Sequence, residues 1–256
     1  MSATFTASLR VDTTPGGRRE GVVGADRSWC PLYRIGGVSA LLATLAYIVA
    51  TATYFVVPPP PEEGGAAILD YIAAHRLVYI AEQILWLAPS VLLTVAFLAL
   101  AVAVKDLHKS YAAIGGVLGV ASWALTLVYP ATGGGAPALV YLSDRYAATG
   151  DAAQRAAYAA AAEAFVAQNV IPTAVGILEP IGILILALVM LRGIFRRGIA
   201  YLGIATGALG IISESLRPLL GIGYLAYGLL LFAWFIAIGW ARYRLAGDEG
   251  TSLDSH

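Results

Sequence analysis

Thiols, histidines and charged side chains are all scarce in this sequence of 256 residues. The single cysteine, Cys30, excludes an internal disulfide, and three scattered histidines form no Cys/His set with the spacing of a zinc or haem site. Lysine plus arginine equal aspartate plus glutamate at 16 each, so no basic excess favours a nucleic-acid partner. We therefore expect no metal, no cofactor and no nucleic acid.

Catalytic motifs are also missing from the sequence. Neither HExxH nor GxSxG occurs, and there is no Walker loop, so no zinc protease, serine hydrolase or nucleotide hydrolase is indicated. No residue is assigned a catalytic role.

Long apolar runs are what the sequence does contain. Charged residues make up 12% of the chain, against roughly a quarter in soluble proteins. A membrane-spanning helix needs about 20 mostly apolar residues, and six stretches meet that length. The sequence therefore predicts an all-α, polytopic membrane bundle of six transmembrane helices with short extracytoplasmic helices. The predicted spans are about 35–57, 77–104, 111–130, 165–191, 199–216 and 219–241, within a transmembrane domain over 32–244.

The orientation in the membrane follows from the distribution of basic residues. With a cytoplasmic N-terminus, twelve of the sixteen Lys and Arg residues fall on the cytoplasmic side, as the positive-inside rule requires. We expect a plasma (inner) membrane protein with both termini in the cytoplasm. Residues 1–31 lack the apolar core of a signal peptide and are predicted to be a disordered cytoplasmic tail, and 245–256 form a second tail.

Three further helices are predicted in the two external loops. AAILDYIAAHR carries an apolar face of Ile68, Leu69 and Ile72, typical of a helix lying at the membrane interface. A second helix is expected over about 137–148. Asp151 with Gln154 resembles a capping box, which begins an Ala-rich helix that continues unbroken into the fourth span and packs near Tyr141.

The candidate site depends on polar residues inside the predicted spans, because ionisable groups in a bilayer are costly and by default indicate function. Glu179 lies near mid-depth, and we expect it to face the bundle interior as an uncharged acid. If the polar stripes of three spans converge, they line a cavity open to the outside. The candidate ligand-binding residues are Glu82, Trp86, Gln168, Asn169, Glu179, Glu214 and Arg217.

Each of these residues also has a purely structural interpretation. Glu214 and Arg217 are spaced for an i,i+3 salt bridge at the interface. Glu82 fits a hydrogen-bonded structural residue, and Glu179 fits a neutral acid bonded to a neighbouring helix. Glycines spaced by four, in the third and fifth spans, are typical of helix packing in lipid.

The strings YLSDRYAATGDAAQRAAYAAAAEAF and VMLRGIFRRGIAYLGIATGALGII resemble an uncharacterised bacterial family of six-helix integral membrane proteins, classed as a domain of unknown function. The likeness covers roughly residues 32–244 in layout. It implies six spans and no assigned activity, and it carries over no catalytic residues.

Three functions are compatible with these observations. The first is a non-enzymatic membrane protein that binds a small or amphiphilic ligand, such as a lipid, in an outer-facing cavity, as a sensor or accessory subunit. The second is a proton-coupled small-molecule transporter that uses Glu179. The third is an enzyme acting on lipid. The expected partners are the lipid bilayer, the bound amphiphile, and either further copies of the chain or another membrane protein.

Overall fold

The computed structural model describes residues 26–61, 63–128, 136–167, 174–193 and 195–247. The described chain is helical, and its connections are short. The α-helices are α1 Cys30–Thr53, α2 Gly65–Ala74, α3 Arg76–Leu87, α4 Pro89–Val104, α5 Lys109–Val128, α6 Ala136–Ala148, α7 Ala152–Ala167, α8 Ala174–Met190, α9 Arg197–Ser215, α10 Arg217–Leu220 and α11 Tyr224–Gly247.

Six of the described helices form a closed ring. In chain order α1, α4, α5, α8, α9 and α11 each pack on the next, and α11 packs back on α1. Successive helices therefore run in alternating directions around one shared interior. We call the end with α2, α6 and α7 the cap end, and the opposite end, where α1 begins and α11 finishes, the tail end.

Five helical stretches of the described chain are long and apolar enough to cross a membrane: Cys30–Thr53, Arg76–Val104 (α3 with α4), Lys109–Leu127, Arg197–Ser215 and Tyr224–Arg244. They match five of the six predicted spans. For the predicted span 165–191 the structure describes α8, whose 17 residues give a length of about 25 Å at 1.5 Å per residue, short of the ~30 Å hydrocarbon core. A helical membrane bundle is thus supported, with five candidate spans by length and composition.

Proline and glycine residues explain where the helix boundaries differ from the predictions. The 29-residue second span divides into α3 and α4 at Pro89, because proline lacks the amide hydrogen that would continue the helix. The predicted span 219–241 begins too early. Arg217–Leu220 form a separate single turn that ends at Gly221, whose positive φ of 48° stops a helix, and α11 begins at Tyr224.

Close helix contacts in the ring depend on small residues. A Cβ at Gly207 would lie 2.8 Å from the carbonyl oxygen of Pro180 on α8, and a Cβ at Gly119 would lie 2.0 Å from the ring of Phe97 on α4. These glycines belong to the two predicted packing faces, which are therefore confirmed as intramolecular contacts.

The cap is a small helical cluster with its own core. Ile68, Leu69 and Ile72 of α2 are buried, and their cluster includes Leu139 of α6 and Ala162 of α7. The predicted helix in the first loop is confirmed, but its apolar face packs on protein rather than lying in the lipid interface. An amphipathic face fits either environment, so the sequence alone does not distinguish them.

The start of α7 is capped, although the predicted capping box does not form. Asp151 accepts a hydrogen bond from the amide of Ala153 at 2.9 Å, as an N-cap residue does. Gln154 instead accepts from the Thr149 hydroxyl at 2.9 Å. Further along α7, the Glu163 carboxylate accepts the first amide hydrogen of α2, from Gly65, at 2.5 Å. Whether α7 continues into α8 falls on 168–173, outside the described residues.

Candidate functional site

Glu179 lies in the ring interior, and one of its carboxyl oxygens has no hydrogen-bond partner in the described part of the chain. Its side chain is 8% exposed, and among the described residues no group hydrogen-bonds to its Oε1. The hydroxyl of Tyr227 on α11 is equally buried and also has no hydrogen-bond partner in the described part of the chain. Buried polar groups are nearly always bonded to protein, water or ligand, so this pair requires explanation.

Two glycines make room for this pair and for a second acid. A Cβ at Gly210 on α9 would lie 2.6 Å from both the Tyr227 ring and Cβ of Pro180, so the ring lies beside the residue that follows Glu179. A Cβ at Gly176, one helical turn before Glu179, would lie 2.3 Å from the Glu214 carboxyl group. Neither Gly176 nor Gly210 has space for a side chain, so α8, α9 and α11 pack closely here. Glu179 of α8 and Glu214 of α9 lie near each other in this region.

Glu214 is fully buried and is bonded on both oxygens. Arg217 donates to its Oε1 at 3.2 Å, and the Tyr224 hydroxyl donates to its Oε2 at 2.9 Å. The predicted i,i+3 ion pair is therefore present. We call Glu179, Glu214, Arg217, Tyr224 and Tyr227 the acid–tyrosine cluster. In it, Glu214 has a cationic partner and Glu179 has none among the described residues.

Aromatic residues extend the cluster towards the other side of the ring. Tyr47 of α1 is buried near Glu179 and stacks on Phe232 at a centroid distance of 5.9 Å. It also contacts Trp86 at 5.4 Å and Trp123 at 6.2 Å. The interior at this depth therefore combines carboxyl, phenol and indole groups, a lining suited to a ligand with one polar group and an apolar body.

Glu82 forms a second polar group, between α1 and α3. It is 3% exposed, and its Oε1 lies 2.7 Å from the Thr53 hydroxyl oxygen. Tyr71 of α2 also lies near it. Burial first, and then the nearby Glu82 carboxyl, raise the pKa of the Tyr71 phenol, which donates to the Pro58 carbonyl oxygen at 2.6 Å.

The predicted site residues thus fall into two groups. Glu179, Glu214 and Arg217 come together. Glu82 lies apart from them and contacts Thr53, and Trp86 contacts Tyr47, which lies near Glu179. Gln168 and Asn169 lie outside the described residues. Sequence reasoning missed Tyr47 and Thr53, although a tyrosine in the middle of an apolar span is a usable signal, because a phenol needs a partner when buried. The predicted cavity open to the outside stays a prediction.

Arg242 near the tail end is the other residue that sequence reasoning missed. Arg242 is one of the twelve basic residues predicted to lie on the cytoplasmic side, and it is 1% exposed. Its Nη1 donates to the Ala96 carbonyl oxygen, and its Nε donates to the Ile238 carbonyl oxygen at 3.3 Å. No carboxylate pairs with it in the described part of the chain. It borders an interior gap too small to admit a water molecule.

Among the described residues no three His, Cys, Asp or Glu side chains group as metal ligands. Comparisons with protein families, with curated proteins and with solved structures found no match to this chain. The site's geometry is accordingly the basis for any functional assignment.

Proposed function

We propose that this chain is a six-span protein of the plasma membrane that binds a small amphiphilic ligand, without chemical turnover, at the acid–tyrosine cluster. In this proposal the predicted span 165–191, which contains α8, is the remaining span, both termini are cytoplasmic, and the cap lies on the outer side. The resemblance to a six-helix membrane family and the twelve-to-four distribution of basic residues support this arrangement.

The observation that carries the proposal is the pair formed by Glu179 and Tyr227. Two buried polar groups that lack partners among the described residues, one on α8 and one on α11, are stabilised if a ligand supplies hydrogen bonds to them. A phenol both donates and accepts, and a protonated carboxyl does the same. A ligand hydroxyl or amine satisfies both groups, while Tyr47 and Phe232 offer apolar surface to its hydrocarbon part.

Binding without catalysis fits the chemistry of the cluster. Its members are two carboxyls, two phenols and one guanidinium, which pair among themselves at Glu214. A nucleophile oriented by an adjacent base, the usual arrangement for acyl or phosphoryl chemistry, is not found among these five residues. The lipid-acting enzyme is therefore the weakest of the three functions.

The test is retention of a ligand through purification. We expect lipid-nanodisc preparations of the wild-type protein to release a stoichiometric small amphiphile, identified by mass spectrometry of the extract. Glu179→Gln with Tyr227→Phe should lose it, because both hydrogen bonds to the ligand change. Glu63→Gln, an exposed acid near the cap, is the matched control and should retain it. An identical extract from wild type and double variant contradicts the proposal.

The proton-coupled carrier is a second candidate, and one observation favours it. Glu214 is neutralised by Arg217 at 3.2 Å, whereas Glu179 has no cation beside it in the described part of the chain and is therefore free to exchange a proton. Uptake of the extracted ligand into proteoliposomes should then require a pH gradient, and Glu179→Gln should abolish the coupling while binding survives. Uptake that ignores the gradient eliminates the carrier.

Membrane topology is tested separately by thiol labelling. In a Cys30→Ser background, single cysteines at Gly64, Asp106 and Gly150 should divide by side of the membrane. An impermeant reagent on intact cells should label positions 64 and 150 and leave 106 unlabelled. Labelling at 106 contradicts the orientation but leaves the ligand site unaffected.

A further inference from the structure

Two arginines and two aromatic rings form a continuous array on the outside of the ring of helices, at its tail end. The Arg34 guanidinium of α1 lies 5.8 Å from the centroid of the Tyr243 ring of α11. That ring stacks on Trp240 at a centroid distance of 6.3 Å, and the Arg244 guanidinium lies 5.1 Å from the Trp240 ring. All four residues are exposed. We call them the tail-end patch.

The position of this patch is set by close contact between α1 and α11. A Cβ at Gly37 would lie 2.8 Å from the carbonyl oxygen of Gly239 and 3.1 Å from the backbone nitrogen of Tyr243, so the two backbones touch here. Arg34 lies about one turn before Gly37 on α1, and Tyr243 lies about one turn after Gly239 on α11. The helix packing therefore places the arginine of one helix beside the ring of the other.

The two arginines of the patch have no acidic partner among the described residues. Neither Arg34 nor Arg244 takes part in the ion pairs found in the described part of the chain. Lys105, which lies 5.1 Å from the Trp29 ring, is a contrasting case, because Asp26 offsets its charge at 3.2 Å. Within the described structure the tail-end patch therefore presents two positive charges without a counter-charge.

Exposed apolar side chains continue from the patch towards the cap end. Helical spacing places them on the same stripes as Arg34 and Tyr243. They are Val38 and Leu45 of α1, and Ile236 and Leu229 of α11. Tryptophan and tyrosine are enriched where hydrocarbon meets the lipid headgroups, and basic residues at that level attract anionic lipids. The surface thus combines positive charge at one end with apolar contacts along the two helices.

We propose that the tail-end patch is a binding site for an anionic phospholipid. The lipid phosphate pairs with the guanidinium groups of Arg34 and Arg244, which bind phosphate oxygens through paired N–H donors. The acyl chains lie along the exposed apolar stripes of α1 and α11, which distinguishes a lipid from a soluble anion. The patch is separate from the acid–tyrosine cluster, and the proposal holds whether or not that cluster binds a ligand.

Native mass spectrometry of the full-length protein in detergent tests the charge requirement, with phosphatidylglycerol or zwitterionic phosphatidylcholine as the titrant. Arg34→Gln with Arg244→Gln should weaken phosphatidylglycerol binding by about thirtyfold, since each basic residue near an anionic surface contributes about fivefold. Phosphatidylcholine binding should not change. The matched control is Arg145→Gln with Arg155→Gln, two exposed arginines that each lie over a tyrosine ring near the cap. No loss in the tail-end variant, or an equal loss in the control, overturns the proposal.

A second pair of variants tests the aromatic rings at constant net charge. Trp240→Leu with Tyr243→Leu should weaken phosphatidylglycerol binding several-fold, because the guanidinium groups lose the rings that position them. Trp29→Leu, which removes an exposed ring outside the patch, should leave binding unchanged. Soluble glycerol phosphate at the same concentration should not displace the lipid. Unchanged binding in the Trp240/Tyr243 variant, or full displacement by glycerol phosphate, contradicts a lipid site at this patch.

Discussion

The half of the bundle at the cap end, here the cap half, and the half at the tail end, here the tail half, bury different kinds of ionisable side chain. The cap half buries Glu82, Glu179 and Glu214, and the tail half buries Arg242. A carboxyl can become neutral by taking up a proton, whereas a guanidinium stays charged at any physiological pH. The buried groups of the cap half therefore belong to a type that can be neutral, whereas the buried group of the tail half is a cation.

The hydrogen bonds of the buried ionisable side chains also differ between the two halves. Arg242 donates to backbone carbonyl oxygens of α4 and of its own helix, which need no titratable partner. Glu179 Oε1 has no hydrogen-bond partner among the described residues, and Glu82 Oε1 accepts from one hydroxyl, that of Thr53. The comparison shows a tail half in which Arg242 joins α11 to α4, and a cap half that contains the ligand site we propose.

Reversing the charge at the tail half should have the largest effect. Arg242→Glu places a carboxylate against the carbonyl oxygens of Ala96 and Ile238, and an uncompensated buried charge costs about 3–5 kcal/mol. We expect loss of folded protein, measured by fluorescence-detected size exclusion and thermal unfolding in detergent. Arg244→Glu, two residues later and exposed, is the control and should fold. A stable Arg242→Glu protein means that the tail half does not need Arg242 to join α11 to α4.

The packing of the two halves is compared by one substitution in each. A Cβ at Gly36 would lie 2.3 Å from Cβ of Ala99 and 3.2 Å from Nη1 of Arg242, and a Cβ at Gly210 would contact the Tyr227 ring at 2.6 Å. Gly36→Ala and Gly210→Ala should each destabilise the bundle by about 1–3 kcal/mol. Only Gly210→Ala should change ligand retention.

The control for both is Gly228→Ala, where a Cβ meets nothing within 4 Å. It should be neutral or slightly stabilising in the same thermal-unfolding measurement, because alanine favours the helix over glycine by about 0.5–1 kcal/mol. If Gly36→Ala also removes the ligand, the two halves are not independent.

Replacing each of the two acids of the cluster by glutamine should change the stability of the protein by different amounts. Glu214→Gln loses an ion pair with Arg217 whose side chain is 32% exposed, so solvent screening limits the cost to about 1 kcal/mol or less. Glu179→Gln should leave unfolding unchanged, because the account takes Glu179 to be an uncharged acid and the substitution replaces it by an uncharged amide of similar size. Thermal unfolding of both variants at neutral pH measures the difference. A large destabilisation by Glu179→Gln indicates that its carboxyl is ionised and paired.

The smallest expected effect is a loss of stability of the cap at alkaline pH. Because burial raises the pKa of Tyr71, the folded cap holds that proton more tightly than the unfolded chain does, and the stabilisation is lost as pH rises above the ordinary value of 10.0. Hydrogen exchange of α2 should therefore accelerate at alkaline pH in the wild type. Tyr71→Phe should show a flatter pH profile, and the tail half should show no change in either protein.

Much of this architecture could be predicted from the sequence because the bilayer dictates helix length. Five spans and the helices near Ile68 and Tyr141 follow from apolar runs and turn residues. The partner of α2 could not be predicted, since an amphipathic face packs equally on lipid or protein. The burial of Arg242 depends on the rotation of α11 about its axis, which is set by ring order rather than by local sequence.

Part of the candidate site could also be predicted from the sequence, because charged residues stand out within apolar spans. Glu179, Glu214 and Arg217 are visible as charges within apolar spans, and the i,i+3 spacing indicates their ion pair. Tyr47 and Thr53 became relevant only once α1 was placed against α3 and α11, because a hydroxyl in an apolar span also satisfies itself on its own helix, as Thr53 does on Ala50 at 2.6 Å.

The most direct test of the central claim is an experimental density map of the wild-type protein in lipid nanodiscs at neutral pH, at a resolution that shows side-chain oxygens. The account predicts density that does not belong to the chain, within hydrogen-bond distance of both Glu179 Oε1 and the Tyr227 hydroxyl, with its apolar part against Tyr47. A map in which these two groups bond only to the chain itself, or in which Glu179 points into lipid, contradicts it.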